Sequence, residues 1–100
     1  MSQARKDSNT MNTESIDCRQ VPHGHMERPG DFCFSPERDT LYVWIPGVTG
    51  PDALQIQQGA PGGERVWGWD GDESLPTLEP SIHTPGHWHG YLRKGKLISC

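Results

Sequence analysis

The stretch LYVWI, residues 41–45, is the longest apolar run in the chain and predicts a central β-strand. Leu41, Val43 and Ile45 alternate with two aromatic residues, so apolar side chains would cover both faces of the strand. The run is much shorter than the roughly 18 residues that a membrane-spanning helix needs. We therefore expect this strand at the centre of the core, and we expect no insertion into a membrane.

Short runs of aromatic and β-branched residues continue from residue 31 onward, separated by Gly and Pro at intervals of about ten residues. Gly supplies positive φ and Pro removes a ladder donor, so strands end at these positions. Asp70-Gly71 in addition favours a tight hairpin turn. We expect an all-β fold with little helix, a small antiparallel sandwich or partly open barrel. The predicted core comprises Leu41, Val43, Ile45, Trp67, Trp69, Leu78, Ile82, Trp88, Leu92 and Leu97.

Residues 1–30 differ from the remainder of the chain in composition and in the pattern of apolar residues. They are mostly polar and show neither helical nor alternating periodicity. The sequence therefore predicts a small β domain over residues 31–100, preceded by a flexible N-terminal extension over residues 1–30. We expect the domain to remain folded when the extension is removed.

Charge and cysteine content narrow the class of protein. The formal net charge of -4 excludes a generally basic nucleic-acid binder. The cysteines are odd in number, Cys18, Cys33 and Cys100, and no apolar signal-peptide core lies near the start of the sequence. These features predict a cytoplasmic protein with reduced thiols.

The segment WHGYLRKGKLIS, residues 88–99, predicts a hairpin with the two-residue loop Lys94-Gly95. The register then follows by counting outward from the loop. Leu92 faces Leu97, and further from the loop His89 faces Cys100.

Alternation along this hairpin predicts a cluster of metal-binding side chains. His87, His89 and Cys100 would share one face, at spacings from which two imidazoles and a thiolate can converge on zinc. The fourth ligand would be His83, Cys33, the terminal carboxylate or water. Neither a CxxC nor an HExxH motif is present, so we expect these residues to be ordinary polar positions and no cofactor to be bound, with the zinc site as the alternative.

No complete catalytic signature is present in the sequence. The serines lack a nucleophile-elbow sequence, and the Gly-rich segment 58–65 lacks the GK[ST] of a phosphate-binding loop, so it predicts a mobile loop. We therefore predict a protein without enzymatic activity. The enzymatic alternative is a small metal-dependent hydrolase that uses the two histidines and the cysteine of the predicted zinc cluster.

Three motifs follow one another in the second half of the chain: W-x-W-x-G at 67–71, P-T-L-x-P-S-I at 76–82 and W-H-G-Y-L-R-x-G at 88–95. With these motifs, residues 32–100 resemble an uncharacterised family of small phage and prophage proteins, some of which carry the name ammonia monooxygenase. The resemblance implies a phage or prophage origin and a small β domain, and it implies no activity. A chain of this size cannot house a membrane copper oxygenase, so we set that name aside.

Taken together, these features predict a binding protein of phage type that engages a host protein complex and inhibits or redirects it. A CRISPR-type defence complex is one such target, because an acidic surface could occupy a site that normally holds nucleic acid. A minor virion component is the alternative, and direct binding to nucleic acid is not expected. The expected contact surface comprises Glu64, Arg65, Trp67, Asp70, Asp72 and Glu73, together with a basic tip of Arg93, Lys94 and Lys96.

Overall fold

The computed structural model describes residues 15–63 and 65–100, and within them it contains strands and no helix. The all-β prediction is therefore confirmed. The strands are β1 Ser15–Asp17, β2 Arg19–Gln20, β3 Asp31–Phe34, β4 Thr40–Val43, β5 Asp52–Gln58, β6 Trp67–Trp69, β7 Leu78–Glu79, β8 Ile82–Thr84, β9 Trp88–Arg93 and β10 Lys96–Ser99.

The strands form two sheets. The smaller sheet has the order β1-β10-β9-β8, and the larger sheet has the order β2-β3-β4-β5-β6-β7. One of the two sheets is curled into a half-barrel. The predicted register of the hairpin formed by β9 and β10 is confirmed, with Leu92 opposite Leu97 and Gly90 opposite Ser99. No helix that could span a membrane occurs among the residues that the structure describes.

Two pairings differ from the antiparallel arrangement that we expected. β2 runs parallel to β3, and β5 runs parallel to β6. Parallel neighbours require a connection that returns to the starting end of the sheet, and the segments 21–30 and 59–66 provide these connections. The prediction of a tight turn at Asp70-Gly71 is wrong, because the longer loop 70–77 joins β6 and β7. In this loop the Asp70 carboxylate accepts hydrogen bonds from the main-chain N–H groups of Asp72 and Thr77.

The core is one apolar cluster to which both sheets contribute. Leu41, Val43 and Ile45 are fully buried, as their alternation predicts. Of the other predicted core residues, Trp69, Leu78, Ile82, Leu92 and Leu97 are buried, whereas Trp67 and Trp88 are half-buried against the cluster. The cluster also contains four residues that the sequence analysis did not select, Phe32, Phe34, Leu54 and Ile56.

Residues 15–30 belong to the folded domain, which corrects the predicted boundary after residue 30. β1 pairs with β10, so that Ile16 lies opposite Leu97, and β2 pairs with β3. These strands are very short and carry no periodicity, so their partners are set by contacts distant in sequence. Residues 1–14 lie outside the described residues.

Asp31 connects this N-terminal segment to the larger sheet. Its carboxylate is buried and accepts hydrogen bonds from the Arg19 side chain, at 2.9 Å from Nε and 2.7 Å from Nη2. The main-chain N–H groups of Glu27 and Arg28 donate to the same carboxylate. The Arg19 guanidinium holds the pKa of the Asp31 carboxyl below its ordinary value, although burial acts in the opposite direction.

Replacing Asp31 by Asn is expected to make the stability of the protein less dependent on pH in the acid range. The pKa of the Asp31 carboxyl is lower in the folded state than in the unfolded state. Its contribution to the free energy of unfolding is therefore complete above the unfolded pKa of about 3.9 and is lost as the pH falls through the folded pKa. Urea unfolding at pH 7 and pH 3 measures this difference. Glu37→Gln, at an exposed position, is the control, and an equal effect of both variants would contradict the prediction.

Candidate functional site

The side chains of Ser81 and His89 contact each other on the smaller sheet. The Ser81 Oγ atom lies 3.1 Å from His89 Nε2, which is a hydrogen-bond distance. Ser81 directly precedes β8, and His89 is the second residue of β9. A hairpin therefore brings together two side chains that are eight residues apart in the sequence.

The turn between β8 and β9 sets this register. The segment Thr84-Pro85-Gly86-His87 has Pro and Gly at its two central positions, and Gly86 has φ +79°. This is the sequence and geometry of a type II turn, and the His87 N–H donates to the Thr84 carbonyl at 2.9 Å. His87 is one extra residue between the turn and the paired positions, so Thr84 lies opposite Trp88 and His83 lies opposite His89.

Ser81 is the diagonal neighbour of His89 across this hairpin. It lies two residues before His83, so its side chain is on the same face of the sheet as those of His83 and His89. Diagonal neighbours are within reach when one of the side chains is long, as an imidazole is. The contact between Ser81 and His89 is thus a consequence of the turn and of strand alternation.

Two neighbouring residues hold Ser81 in place. Ile82, the next residue, is 2% exposed and anchors the start of β8 in the core. The Trp67 indole donates from Nε1 to the Ser81 carbonyl at 3.3 Å. Ser81 itself is half-buried and His89 is exposed, so a substrate in solution has access to the pair.

The His89 ring also contacts the ring of His83. The two centroids are 4.9 Å apart, and the ring planes are inclined by 44°. A serine hydroxyl beside a neutral imidazole is the arrangement that activates serine as a nucleophile, because the imidazole accepts the hydroxyl proton as the new bond forms. The geometry therefore fits acyl transfer through a covalent intermediate.

A family model described as bacterial ubiquitination-like system serine protease (BubE) matches residues 18–100. The chain belongs to the BubE family. No curated protein and no solved structure matches the chain.

Membership of the BubE family corrects the functional prediction. The family description names a serine protease, so the prediction of a protein without enzymatic activity is wrong, and so is the prediction of a phage-type inhibitor of a host defence complex. The expectation of a protein partner agrees with the description, since a ubiquitination-like system consists of proteins. The error arose because the serines were tested against the nucleophile-elbow motif alone.

The site in the BubE chain contains one residue of the predicted zinc cluster, His89, but not the cluster itself. His87 lies in the turn before β9, and the Cys100 thiol lies 3.6 Å from the His89 carbonyl oxygen rather than beside its ring. Cys33 is buried in the larger sheet, 4.0 Å from His23 Nδ1. Among the residues described, no three His, Cys, Asp or Glu side chains are placed to hold a metal ion. Binding of zinc stays an alternative hypothesis.

Three acidic residues of the expected contact surface, Asp70, Asp72 and Glu73, form hydrogen bonds within the chain. The Asp72 carboxylate accepts hydrogen bonds from the main-chain N–H groups of Ser74 and Leu75, and Asp70 holds the same loop. Glu73 forms two hydrogen bonds of 3.0 Å with the Arg38 guanidinium, which lowers the pKa of Glu73.

The remaining residues of that surface are in different settings. Glu64 lies outside the described residues, Arg65 is exposed, and Trp67 is the half-buried residue that holds Ser81. At the basic tip, the Arg93 guanidinium lies 4.0 Å from the centre of a tyrosine ring, and the Lys94 N–H donates to a threonine hydroxyl at 2.8 Å. Lys96 forms an ion pair with Asp17 on β1. Their role in binding a partner stays a prediction.

Sequence reasoning missed Ser81. The signal that could have found it is the Pro85-Gly86 pair, which was used only as the end of a strand. Counting outward from Pro85-Gly86 as a two-residue loop would place Trp88 opposite His83, one residue away from the observed register, in which His87 is an extra loop residue. The turn therefore indicates the hairpin that contains Ser81, whereas the contact of Ser81 with His89 depends on this extra residue.

Proposed function

We propose that the chain is a serine hydrolase that cleaves the acyl bond of a ubiquitin-like conjugate, with Ser81 as the nucleophile and His89 as the general base. The observation that carries the proposal is the distance of 3.1 Å between Ser81 Oγ and His89 Nε2. The description of the BubE family as a serine protease of a ubiquitination-like system supports the reaction class and the substrate class.

The first half-reaction forms an acyl-enzyme. The Ser81 hydroxyl donates its hydrogen bond to neutral His89 Nε2, and the other ring nitrogen carries the proton. As Oγ attacks the carbonyl carbon of the substrate, Nε2 takes the hydroxyl proton. The tetrahedral intermediate then collapses, the bond to the amine breaks, and the imidazolium returns the proton to the departing nitrogen.

The second half-reaction releases the acyl group. A water molecule takes the place of the amine, and His89 Nε2 removes its proton as the water oxygen attacks the Ser81 ester. Collapse of this intermediate breaks the ester bond and returns the proton to Ser81 Oγ. The products are a carboxylate and the free amine, which is the expected result of deconjugating a modifier from a lysine side chain or an N-terminus.

Labelling with a fluorophosphonate is the direct test of the nucleophile. The reagent is expected to modify the protein once, and digestion followed by mass spectrometry is expected to place the label on Ser81. His89→Ala should slow the labelling about 100-fold, because the hydroxyl then loses its proton acceptor.

His25→Ala provides a matched control, since His25 is an exposed histidine whose ring has no contact with Ser81. It should label at the rate of the unaltered chain. A label on another serine, or equal labelling rates in the two histidine variants, would exclude the proposed pair.

A further inference from the structure

β8 is an edge strand of the smaller sheet. The sheet has the order β1-β10-β9-β8, so β8 has β9 on one side and no strand on the other among the residues the structure describes. Ser81 stands directly before this strand. An edge strand presents main-chain groups that can pair with an added chain.

The register shows which main-chain groups point outward. The Cys100 N–H donates to the His89 carbonyl at 3.0 Å, so the main-chain groups of His89 face β10. His89 and His83 are directly opposite each other and are therefore a pair without mutual main-chain hydrogen bonds. The N–H and the carbonyl of His83 consequently face the open edge.

The open stretch of this edge is short and ends at the nucleophile. The Thr84 carbonyl is occupied by the His87 N–H, and the Ser81 carbonyl is occupied by the Trp67 indole. Between these two residues, His83 offers one donor and one acceptor. A chain that pairs with His83 can continue along β8 only as far as Ser81.

We propose that the acyl side of the substrate binds here as an extended strand, antiparallel to β8. The inference rests on the proposed function and adds the way in which the substrate is held. An antiparallel chain that passes His83 approaches Ser81 with its carboxyl end, which brings its carbonyl to Ser81 Oγ. The residue opposite His83 is then the third residue on the acyl side of the scissile bond, counted back from that bond.

This arrangement defines a class of substrate. The chain must be extended over at least three residues before the bond that is cleaved, as an unstructured C-terminal tail is, and it must offer a free N–H at the third residue. The second residue contributes side-chain contacts only, because its main-chain groups point away from β8. A bond that follows directly after a helix or a folded core does not fit.

Peptidyl diphenyl phosphonates of one to four residues, made as mixtures of side chains, test the inference on the full chain. Ser81 Oγ displaces phenolate from phosphorus, and the rate of labelling is followed by intact mass. We expect the rate to rise about tenfold or more between two and three residues, because the hydrogen bonds to His83 form at the third residue. N-methylation of the third residue should abolish this rise, and N-methylation of the second should leave it within about twofold.

Two variants of the protein provide the complementary test. In His83→Pro the outward N–H is absent, and an edge strand tolerates proline at such a position. In His83→Ala the N–H remains and only the side chain is lost. We expect the ratio of the labelling rates of the three-residue and two-residue phosphonates to fall in His83→Pro and to stay unchanged in His83→Ala.

The outcomes separate this inference from the proposed function. A rate that is independent of length, or that responds equally to N-methylation at both residues, overturns strand addition while labelling of Ser81 still supports the hydrolase. Absence of labelling by every phosphonate and by the simple fluorophosphonate overturns both. If His83→Pro does not fold, the N-methylated phosphonates test strand addition on the unaltered chain.

Discussion

Ser81→Ala is expected to lower kcat/KM for hydrolysis about 10,000-fold, with no loss of stability. In the proposed mechanism the hydroxyl forms the acyl-enzyme, so nothing in the variant can replace it. The contact of its oxygen with His89 is on the surface of the smaller sheet, and its removal leaves the core unchanged. The measurement is the rate of cleavage of the peptidyl coumarylamide that the unaltered chain cleaves fastest, together with thermal unfolding.

Ser74→Ala is the control for this prediction. Ser74 is exposed in the loop that joins β6 and β7, and its main-chain N–H rather than its hydroxyl bonds to Asp72. We expect normal hydrolysis in this variant. If Ser81→Ala kept more than about one tenth of the activity, the covalent mechanism would be wrong.

Gly68→Ala is expected to destabilise the protein by about 3 kcal/mol, a large share of the total stability of a domain of this size, and to lower the rate of hydrolysis. Gly68 is the central residue of β6, and an added Cβ would overlap the Ala60 carbonyl oxygen. It would also lie 3.0 Å from the Ala60 carbonyl carbon and 3.2 Å from the Gly62 nitrogen. All of these are main-chain atoms, so no flexible side chain can move aside.

The damage should extend to the site through the neighbouring tryptophan. Trp67 precedes Gly68 and holds the Ser81 carbonyl, so a shift of β6 moves Ser81 relative to His89. Gly50→Ala is the matched control, because nothing lies within 4 Å of its added Cβ. We expect Gly50→Ala to change the free energy of unfolding by less than about 0.5 kcal/mol. Chemical unfolding of the two variants measures the difference, and equal stabilities would refute the steric argument.

The sequence predicts the elements of this fold whose information is local. The register of β9 and β10 follows from the Lys94-Gly95 loop alone, and the burial of Leu41, Val43 and Ile45 follows from alternation. The pairing of β1 with β10 has no such local origin. It joins a polar three-residue segment to a strand near the other end of the chain, and nothing in either segment specifies the other.

The candidate site was only partly within reach of the same reasoning, which considered His89 for binding a metal ion and not for acyl transfer. His89 was selected from the sequence, yet as a ligand for a metal ion together with His87 and Cys100. A register was derived from the sequence only for the hairpin of β9 and β10. Ser81 lies beside the preceding hairpin, formed by β8 and β9. The fixed motif used to search for a nucleophile describes a strand-to-helix turn, which an all-β chain does not contain.

The pairing of Ile16 with Leu97 has a consequence for the kinetics of folding. The hairpins that contain Ser81 and His89 close over a few residues, and such contacts form within microseconds. The contact of β1 with β10 closes a loop of almost the whole chain, and contacts of this kind slow folding because the entropy of closure is lost before the contact forms. We therefore expect the hairpin that brings Ser81 to His89 to close earlier in folding than the pairing of β1 with β10.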